Sequence, residues 1–409
     1  MQSKKVSVLL VGIGGFGKSY LRELLAHEEK NFEIVGAVDP AAEQTKYYSD
    51  LKERGVSFYN DVEAFYADKG ADLVVISSPI QYHCPQSTYA LSQGSNVLCE
   101  KPLAAVVQDG LKMKKVRDEA EGFLDIGYQW SHSKAILDLK RDIMKGVFGQ
   151  PRRAKTIILW PRDLYYYNRS SWAGKIKDDN GEWILDSVAN NATAHYLHNL
   201  FFVLGEEINK SQYPGSLVAE LYRANDIENY DTSVARIITE NNVELLYYAS
   251  HAVKEKYDPA FCFEFEKGKV VYGELEEGEP EKITAIFNDG SKKSYGDPEV
   301  NRKRKLWLAL EATEKGEDFV YCGPEAALPH TISINGFQES ATPIKNFPEK
   351  VKNFDSEKKQ FWVENLNEIL IDAYREGKLC SEMDVSWATA GKEMELDSYD
   401  FFSGDGQKN

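Results

Sequence analysis

The sequence predicts two folds in tandem: a doubly wound parallel α/β sheet (a Rossmann-type domain), followed by an α+β domain on a mostly antiparallel sheet. Three observations lead there. Strand-like and helix-like segments alternate up to residue 127, and a glycine-rich turn follows the first strand. From Trp130 onward the texture shifts to short β-rich runs parted by Asn, Gly and Asp. The first domain is therefore assigned to residues 1–129 and the second to residues 130–409.

The first strand, Val6–Val11, runs into Gly12-Ile13-Gly14-Gly15-Phe16-Gly17, a G-x-G-x-x-G turn. A helical pattern with Tyr20, Leu21, Leu24 and Leu25 on one side comes next. Such glycines let the chain turn tightly, bring backbone N–H groups up to a pyrophosphate, and let helix pack closely on strand. The helix N-terminus adds partial positive charge. A second apolar run, Phe32–Val38, ends at Asp39-Pro40, with Asp39 about 20 residues past the last glycine, where a carboxylate accepts from ribose hydroxyls. That charge would repel the extra phosphate of NADP, so the cofactor expected is NAD. The plainer alternative is that Asp39 only caps the helix that starts near Ala41.

Helices are expected over residues 41–53 and 61–66, then an apolar strand at Leu73–Ile76 stopped by Ser77-Ser78-Pro79. A helix over 85–93, the strand Asn96–Cys99, a helix over 104–120 and a strand over 123–127 complete the alternation. Ligands of such sheets sit outside the carboxyl ends of the strands. The glycine turn, Asp39, Ser78, Pro79, Glu100-Lys101-Pro102 and Gln129 all follow strand ends and should gather along one crevice. In the second domain, strands are expected over 154–160, 216–222, 232–238, 243–250, 261–265 and 269–272. Helices are expected over 135–144, 190–204, 303–314, 324–339 and 361–376, a charged loop over 346–359, and disorder after Ser403.

A net charge of −16 speaks against nucleic acid and anionic membrane surfaces as partners. No apolar run approaches the roughly 20 residues of a membrane span, and no secretory leader is legible. The five cysteines are scattered without C-x-x-C spacing, which fits reduced thiols in a cytoplasmic protein and gives no metal site.

Lys101 carries a chemical argument of its own. Hydride transfer from an alcohol carbon needs a proton taken from the hydroxyl and a positive field for the developing oxyanion. A lysine at a strand end in a cofactor crevice supplies that field; the plainer reading is a solvated surface lysine. With the glycine turn, Ser77–His83 (SSPIQYH) and Leu98–Ala104 (LCEKPLA) in place, the chain resembles the glucose–fructose oxidoreductase, inositol dehydrogenase and rhizopine-catabolism family, Gfo/Idh/MocA. The resemblance implies a nicotinamide cofactor and a sugar, inositol or related polyol substrate. It also implies a cis Lys101–Pro102 peptide, cofactor or substrate contacts at His83 and Gln129, and a homodimer or homotetramer formed through the second-domain sheet.

The resemblance extends to a second-domain segment running from Asp186 to Gly205. Counting back from Gly205 puts His195 at the family histidine, with Asn191 and His198 where the family usually carries aspartates. Asn191, His195 and His198 are spaced i, i+4 and i+7, one face of a continuous helix. An imidazole, with an ordinary pKa of about 6.5, suits a general base, and His195 is assigned that role beside Lys101. Asn191 cannot take a proton but can bond a hydroxyl, and Asp186 is an alternative carboxylate. Both histidines have the plainer reading of satisfied core residues. An aromatic and basic stretch contains Trp160, Arg162, Tyr165, Tyr166, Tyr167, Arg169 and Trp172. Of these, Arg162, Tyr167 and Trp172 are assigned to substrate, against the alternative of an aromatic interface. The expectation is an NAD-dependent oxidoreductase that acts on a hydroxyl-bearing carbon of a sugar, inositol or glycoside. Two rivals stay open: a redox-neutral enzyme that cleaves or epimerises with bound NAD, and a sensor of nucleotide and sugar.

Overall fold

The computed structural model describes residues 5–273 and 282–404. The chain forms two compact units. The first runs to Ala104 and adds Gln108–Ser133 and Asn301–Leu328; the second takes Ala105–Val107, Lys134–Val300 and the chain from Pro329 on. Most of the tail expected to be disordered, residues 405–409, lies outside the described residues.

In the first unit, β1 (Val6–Val11), β2 (Phe32–Val38), β3 (Ser57–Tyr59), β4 (Leu73–Ile76), β5 (Asn96–Cys99) and β6 (Leu124–Ile126) form a six-stranded sheet ordered β3-β2-β1-β4-β5-β6. Every pairing is parallel. β4 is buried throughout, as a strand covered on both faces must be. The order reverses at β1/β4, so the ends of these strands form the switch point where such sheets take ligands. The crossover helices are α1 (Gly17–Leu25), α2 (Tyr48–Glu53), α3 (Val62–Asp68), α4 (His83–Ser92) and α5 (Val107–Glu119). The helix expected over 41–53 divides into a 3-10 turn at Ala42–Gln44 and the short α2.

The longest departure from the expected boundary at 129/130 is Asn301–Leu328, which belongs to the first unit. The helix Arg304–Lys315 packs Leu306, Ala309, Leu310 and Ala312 into the cluster of Val8, Leu10, Leu21, Val75 and Leu98. Its apolar stripe covers the parallel sheet, so the first unit is discontinuous in sequence.

The second unit holds a ten-stranded sheet. Its strands are β7 (Pro151–Leu159), β8 (Pro214–Arg223), β9 (Thr232–Thr239), β10 (Glu244–Ser250), β11 (Tyr257–Phe265), β12 (Gly268–Tyr272), β13 (Ile283–Phe287) and β14 (Lys292–Gly296), with short edge pieces near β8. Antiparallel pairs dominate, but β7 and β10 run parallel, from Ala154 beside Leu245 to Leu159 beside Ser250. On one face the helix Leu366–Glu376 sets Leu366, Leu370 and Ala373 against Ile157, Leu159, Leu246 and Tyr248. The charged segment read as loop over 346–359 contains a strand, Lys352–Asp355, paired with Gln360–Val363. Phe354 faces Phe361 across that hairpin with ring centroids 4.8 Å apart, a cross-strand pair that holds it. The helix expected from 361 therefore begins only at Leu366. Among the described residues no helix is long and apolar enough to cross a membrane.

Candidate active site

In the first unit, the turn after β1 is shaped by what its glycines approach. Gly12 sits at φ +78°, and a Cβ there would lie 2.8 Å from the Ser77 and Ser78 backbone. A Cβ on Gly17 would run into the Gly12 carbonyl. Only glycine allows the end of β1, the start of α1 and the end of β4 to meet so closely. Asp39 faces this turn. Its Oδ2 accepts from the N–H groups of Ile13 at 2.9 Å and Gly14 at 3.0 Å, and Oδ1 accepts from Ala41 N–H at 2.9 Å. Asp39 is not the cap of the following turn, whose N-cap is Ala41 with no side-chain cap bond, but its one carboxylate steadies both the glycine turn and the chain after β2. The Ser77 hydroxyl donates to the Gly12 carbonyl at 2.8 Å, and Ser78 donates to Gln86 at 2.6 Å. Pro79 leads into a single 3-10 turn.

Glu100, at the end of β5, is almost fully buried. Its carboxylate accepts from the Tyr20 hydroxyl and from the Lys305 ammonium, which donates also to the Gly127 carbonyl at 2.7 Å. Burial disfavours the charge, but Lys305 and Tyr20 outweigh it, so the Glu100 carboxyl titrates below its usual range. Glu100 is a hub that ties helix, sheet and returning helix together. The next residue, Lys101, has its backbone N–H on Glu100 Oε2 at 3.2 Å, and the Lys101–Pro102 peptide is cis. His83 spans the same region: one ring nitrogen lies 2.8 Å from the Pro102 carbonyl, the other 3.0 Å from the Ser78 carbonyl. Burial lowers its pKa. Both its nitrogens are engaged by backbone, so His83 positions the Ser78 and Lys101–Pro102 segments. Gln129 opens a short 3-10 turn that ends at His132.

Sequence reasoning missed three groups in this unit. Lys305 was detectable, since it falls in the buried stripe with Ala309 and Ala312 where a lysine is out of place. Lys303 donates to Ser19 Oγ in the first turn of α1 and lies over the Phe16 ring, 4.7 Å from its centroid. Burial and the neighbouring Lys305 push Lys303 down to about 8. His132 meets Asp125 at 2.8 Å in the core, a pair no local pattern announces.

In the second unit, the parallel pairing of β7 and β10 brings their carboxyl ends together. Trp160 N–H donates to the Ser250 carbonyl at 2.9 Å and Arg162 N–H to the His251 carbonyl at 3.2 Å. Asp163 then caps a single helical turn, α6 (Leu164–Tyr167), by accepting from Tyr166 N–H at 2.8 Å. Arg162 lies 4.7 Å and Arg169 3.9 Å from the Tyr166 ring centroid, and Arg169 also lies 4.9 Å from that of Trp172. Tyr167 is packed inward, and burial raises its hydroxyl well above the ordinary value. His251 was not singled out from sequence; only the long-range β7/β10 pairing reveals it.

The continuous helix expected to carry Asn191, His195 and His198 is interrupted. Ser187 caps a π-turn at Val188–Ala192 by accepting from Asn190 N–H at 3.1 Å. Thr193 N–H bonds Val188 at 3.0 Å, and the α-helix restarts as α7 (Ala194–Val203). The wider turn takes Asn191 off the i, i+4 register with His195. Asn191 instead donates to Asp186 Oδ1 at 2.8 Å, while Gly174 N–H donates to Oδ2 at 2.7 Å. His195 is half-buried at the start of α7. His198 is fully buried with its ring stacked on Phe202, the core position of the plainer reading. Among the described residues no group of three His, Cys, Asp or Glu is placed to hold a metal ion.

Residues 6–128 match the family model described as "Oxidoreductase family, NAD-binding Rossmann fold" (GFO_IDH_MocA). Over 143 residues the chain is 29% identical to inositol 2-dehydrogenase of Salmonella typhimurium, covering 35% of this chain and 42% of that protein. It thus spans less than half the length of that relative. Among solved structures, the WlbA dehydrogenase of Bordetella pertussis, in complex with NADH and UDP-GlcNAcA, superposes with a TM-score of 0.67 at 21% identity, covering 83% of this chain and 97% of that one. Levoglucosan dehydrogenase in complex with NADH gives 0.68 at 14% identity, covering 83% and 97%. At these identities the structures establish the shared fold.

Proposed function

We propose that this chain, whose residues 6–128 match the Gfo/Idh/MocA oxidoreductase family model, transfers a hydride between NAD and a hydroxyl-bearing carbon of a sugar, inositol or glycoside. The observation that carries this reading is the glycine turn: Gly12 passes too close to the Ser77–Ser78 backbone for any Cβ, and Asp39 braces the Ile13 and Gly14 N–H groups ahead of α1. The residues present fit a dinucleotide. Gly12, Ile13, Gly14, Gly15, Phe16 and Gly17 would hold the pyrophosphate at the α1 N-terminus, with Lys303 adding charge beside Ser19. Asp39 would meet the ribose and disfavour NADP. Ser78, Pro79, Glu100, Lys101 and Gln129 belong to the same ring of strand ends, with His83 holding two of these segments in place.

NAD, when bound, supplies the hydride acceptor. The alcohol carbon gives up its hydrogen with the bonding pair, the hydroxyl proton passes to His195, and a carbonyl remains. Lys101 stabilises the developing negative charge on that oxygen. Asn191, aimed by Asp186, serves as a hydroxyl-binding group and not as a base. Relatives named for inositol and levoglucosan support a polyol or sugar substrate. A cytoplasmic homo-oligomer belongs to the same proposal, and light scattering would read its stoichiometry.

The test is NADH formation by cofactor-stripped protein given NAD and a panel of sugars, inositols and glycosides. Turnover with at least one is the expected result. Tight NADH binding without net turnover on any member would favour the redox-neutral enzyme or the sensor instead.

A further inference from the structure

We propose that the second unit carries a carboxylate-recognition site at the carboxyl ends of β7 and β10, so that the substrate is a hydroxy acid of the sugar series. The role of the bound acid as a hydride donor rests on the function proposed above; the site itself does not.

Two buried polar atoms beside Tyr166 have no hydrogen-bond partner, Arg162 Nε and His251 Nε2, and Tyr167 Oη and Ser170 Oγ, on the same short stretch of chain, are two more. The Arg162 and Arg169 guanidinium carbons lie 4.7 and 3.9 Å from the Tyr166 ring centroid, and the His251 ring lies 5.5 Å from it. A native chain seldom leaves several such atoms unsatisfied in one place, and the usual reason is a group that the chain alone does not supply.

The charge balance says what that group is. Arg162 has no carboxylate partner among the described residues. The nearby acids are already engaged. Asp163 caps Tyr166, and Asp186 takes Gly174 N–H and the Asn191 amide, with Arg169 only at 3.5 Å. Asp231 accepts from Ala224, Asn225 and Thr232, and Asp258 from Trp160 and Lys256. One guanidinium is left over, enough for a carboxylate, which it can grip with two parallel N–H···O bonds. A phosphate dianion would call for a second free cation.

His251 adds the hydroxyl. Its Nδ1 lies 2.8 Å from the Trp160 carbonyl, which can only accept, so Nδ1 carries the proton and Nε2 is an acceptor. Burial and the two arginines hold the ring neutral, with a pKa of about 3. An acceptor beside a guanidinium matches a hydroxyl next to a carboxylate.

The experiment is calorimetric titration of the NADH-loaded protein with matched pairs: glucuronate against glucose, galacturonate against galactose, gluconate against glucitol, with glucose 6-phosphate as a further arm. At least one acid should bind tenfold or more tightly than its neutral partner. Arg162→Met should erase that preference while still binding NADH, and Arg162→Lys should keep part of it. Neutral sugars binding as well as the acids, binding of the phosphate alone, or an unchanged preference in Arg162→Met would each overturn the proposal. Failure of the unmodified protein to bind NADH would instead count against the hydride-transfer reading, and the acid titration on unloaded protein would still judge the site.

Discussion

At the scale of single residues, the first unit is organised around a buried charge. Lys305 and Glu100 are each almost fully buried and bonded to one another, with Tyr20 and the Gly127 carbonyl completing the set. Removing one partner of such a pair strands the other, at a cost of about 3–5 kcal/mol. Urea denaturation of Glu100→Gln should show a loss of that order, and Lys305→Met in the same background should recover most of it. Near-normal stability of Glu100→Gln alone would contradict the hub role. Because the folded Glu100 carboxyl sits below its usual range, its contribution is present above the ordinary carboxylate pKa and fades as pH falls through the folded value. Acid-side unfolding should therefore be steeper for the unmodified protein than for the variant. What was legible at this scale were residues whose type is demanded by local backbone: the glycines of the turn, Asp39 and the Glu100-Lys101-Pro102 run. Lys305 and His251 were not picked out, since their partners lie far along the chain and only the fold introduces them.

At the scale of elements, the start of α1 is the place where several weak effects add. The N-terminus of α1, with its helix dipole, and Lys303 beside Ser19 both favour an anion there. A charge-assisted contact of about 1.5 kcal/mol is worth roughly tenfold in affinity. Fluorescence titration with NADH should thus find Lys303→Met weaker by about tenfold at neutral pH. With Lys303 near 8 in the free protein, affinity should fall as pH rises through that value, and the variant should lose this dependence. The other charges around it are Lys305, Glu100, Glu23 and Arg22; Lys305 and Glu100 stay paired to each other. A variant with unaltered affinity and slope would remove Lys303 from the cofactor site. Five strands of the parallel sheet were legible almost to the residue, because buried apolar runs bounded by Gly, Ser and Pro have few other readings; the sixth, β3 (Ser57–Tyr59), is three half-buried residues and was not read. The break at Thr193 was not: a π-turn keeps the composition of a helix while changing which side chains share a face. The hairpin at Lys352–Val363 was hidden for a related reason, its charged surface masking the Phe354–Phe361 pair.

At the scale of the whole molecule, the chain is two units of different grammar. The parallel unit is assembled from the N-terminal third plus a helix that returns after residue 300, and the larger unit is organised on a ten-stranded sheet. The return was invisible in sequence because an amphipathic helix declares that it needs a partner without declaring which. The proposed roles are divided in the same way: the glycine turn and Lys101 belong to the first unit, His195, Asn191 and the arginine cluster to the second. The central claim, that these parts serve hydride transfer, is tested most directly by rapid mixing of NAD-loaded protein with a turned-over substrate while following reduced-nicotinamide absorbance. A single-turnover rise is expected in the unmodified protein, slowed at least a hundredfold in Lys101→Met and in His195→Asn, the range typical of lost acid–base or electrostatic catalysis. No rise in the unmodified protein, or an undiminished rise in both variants, would contradict the account.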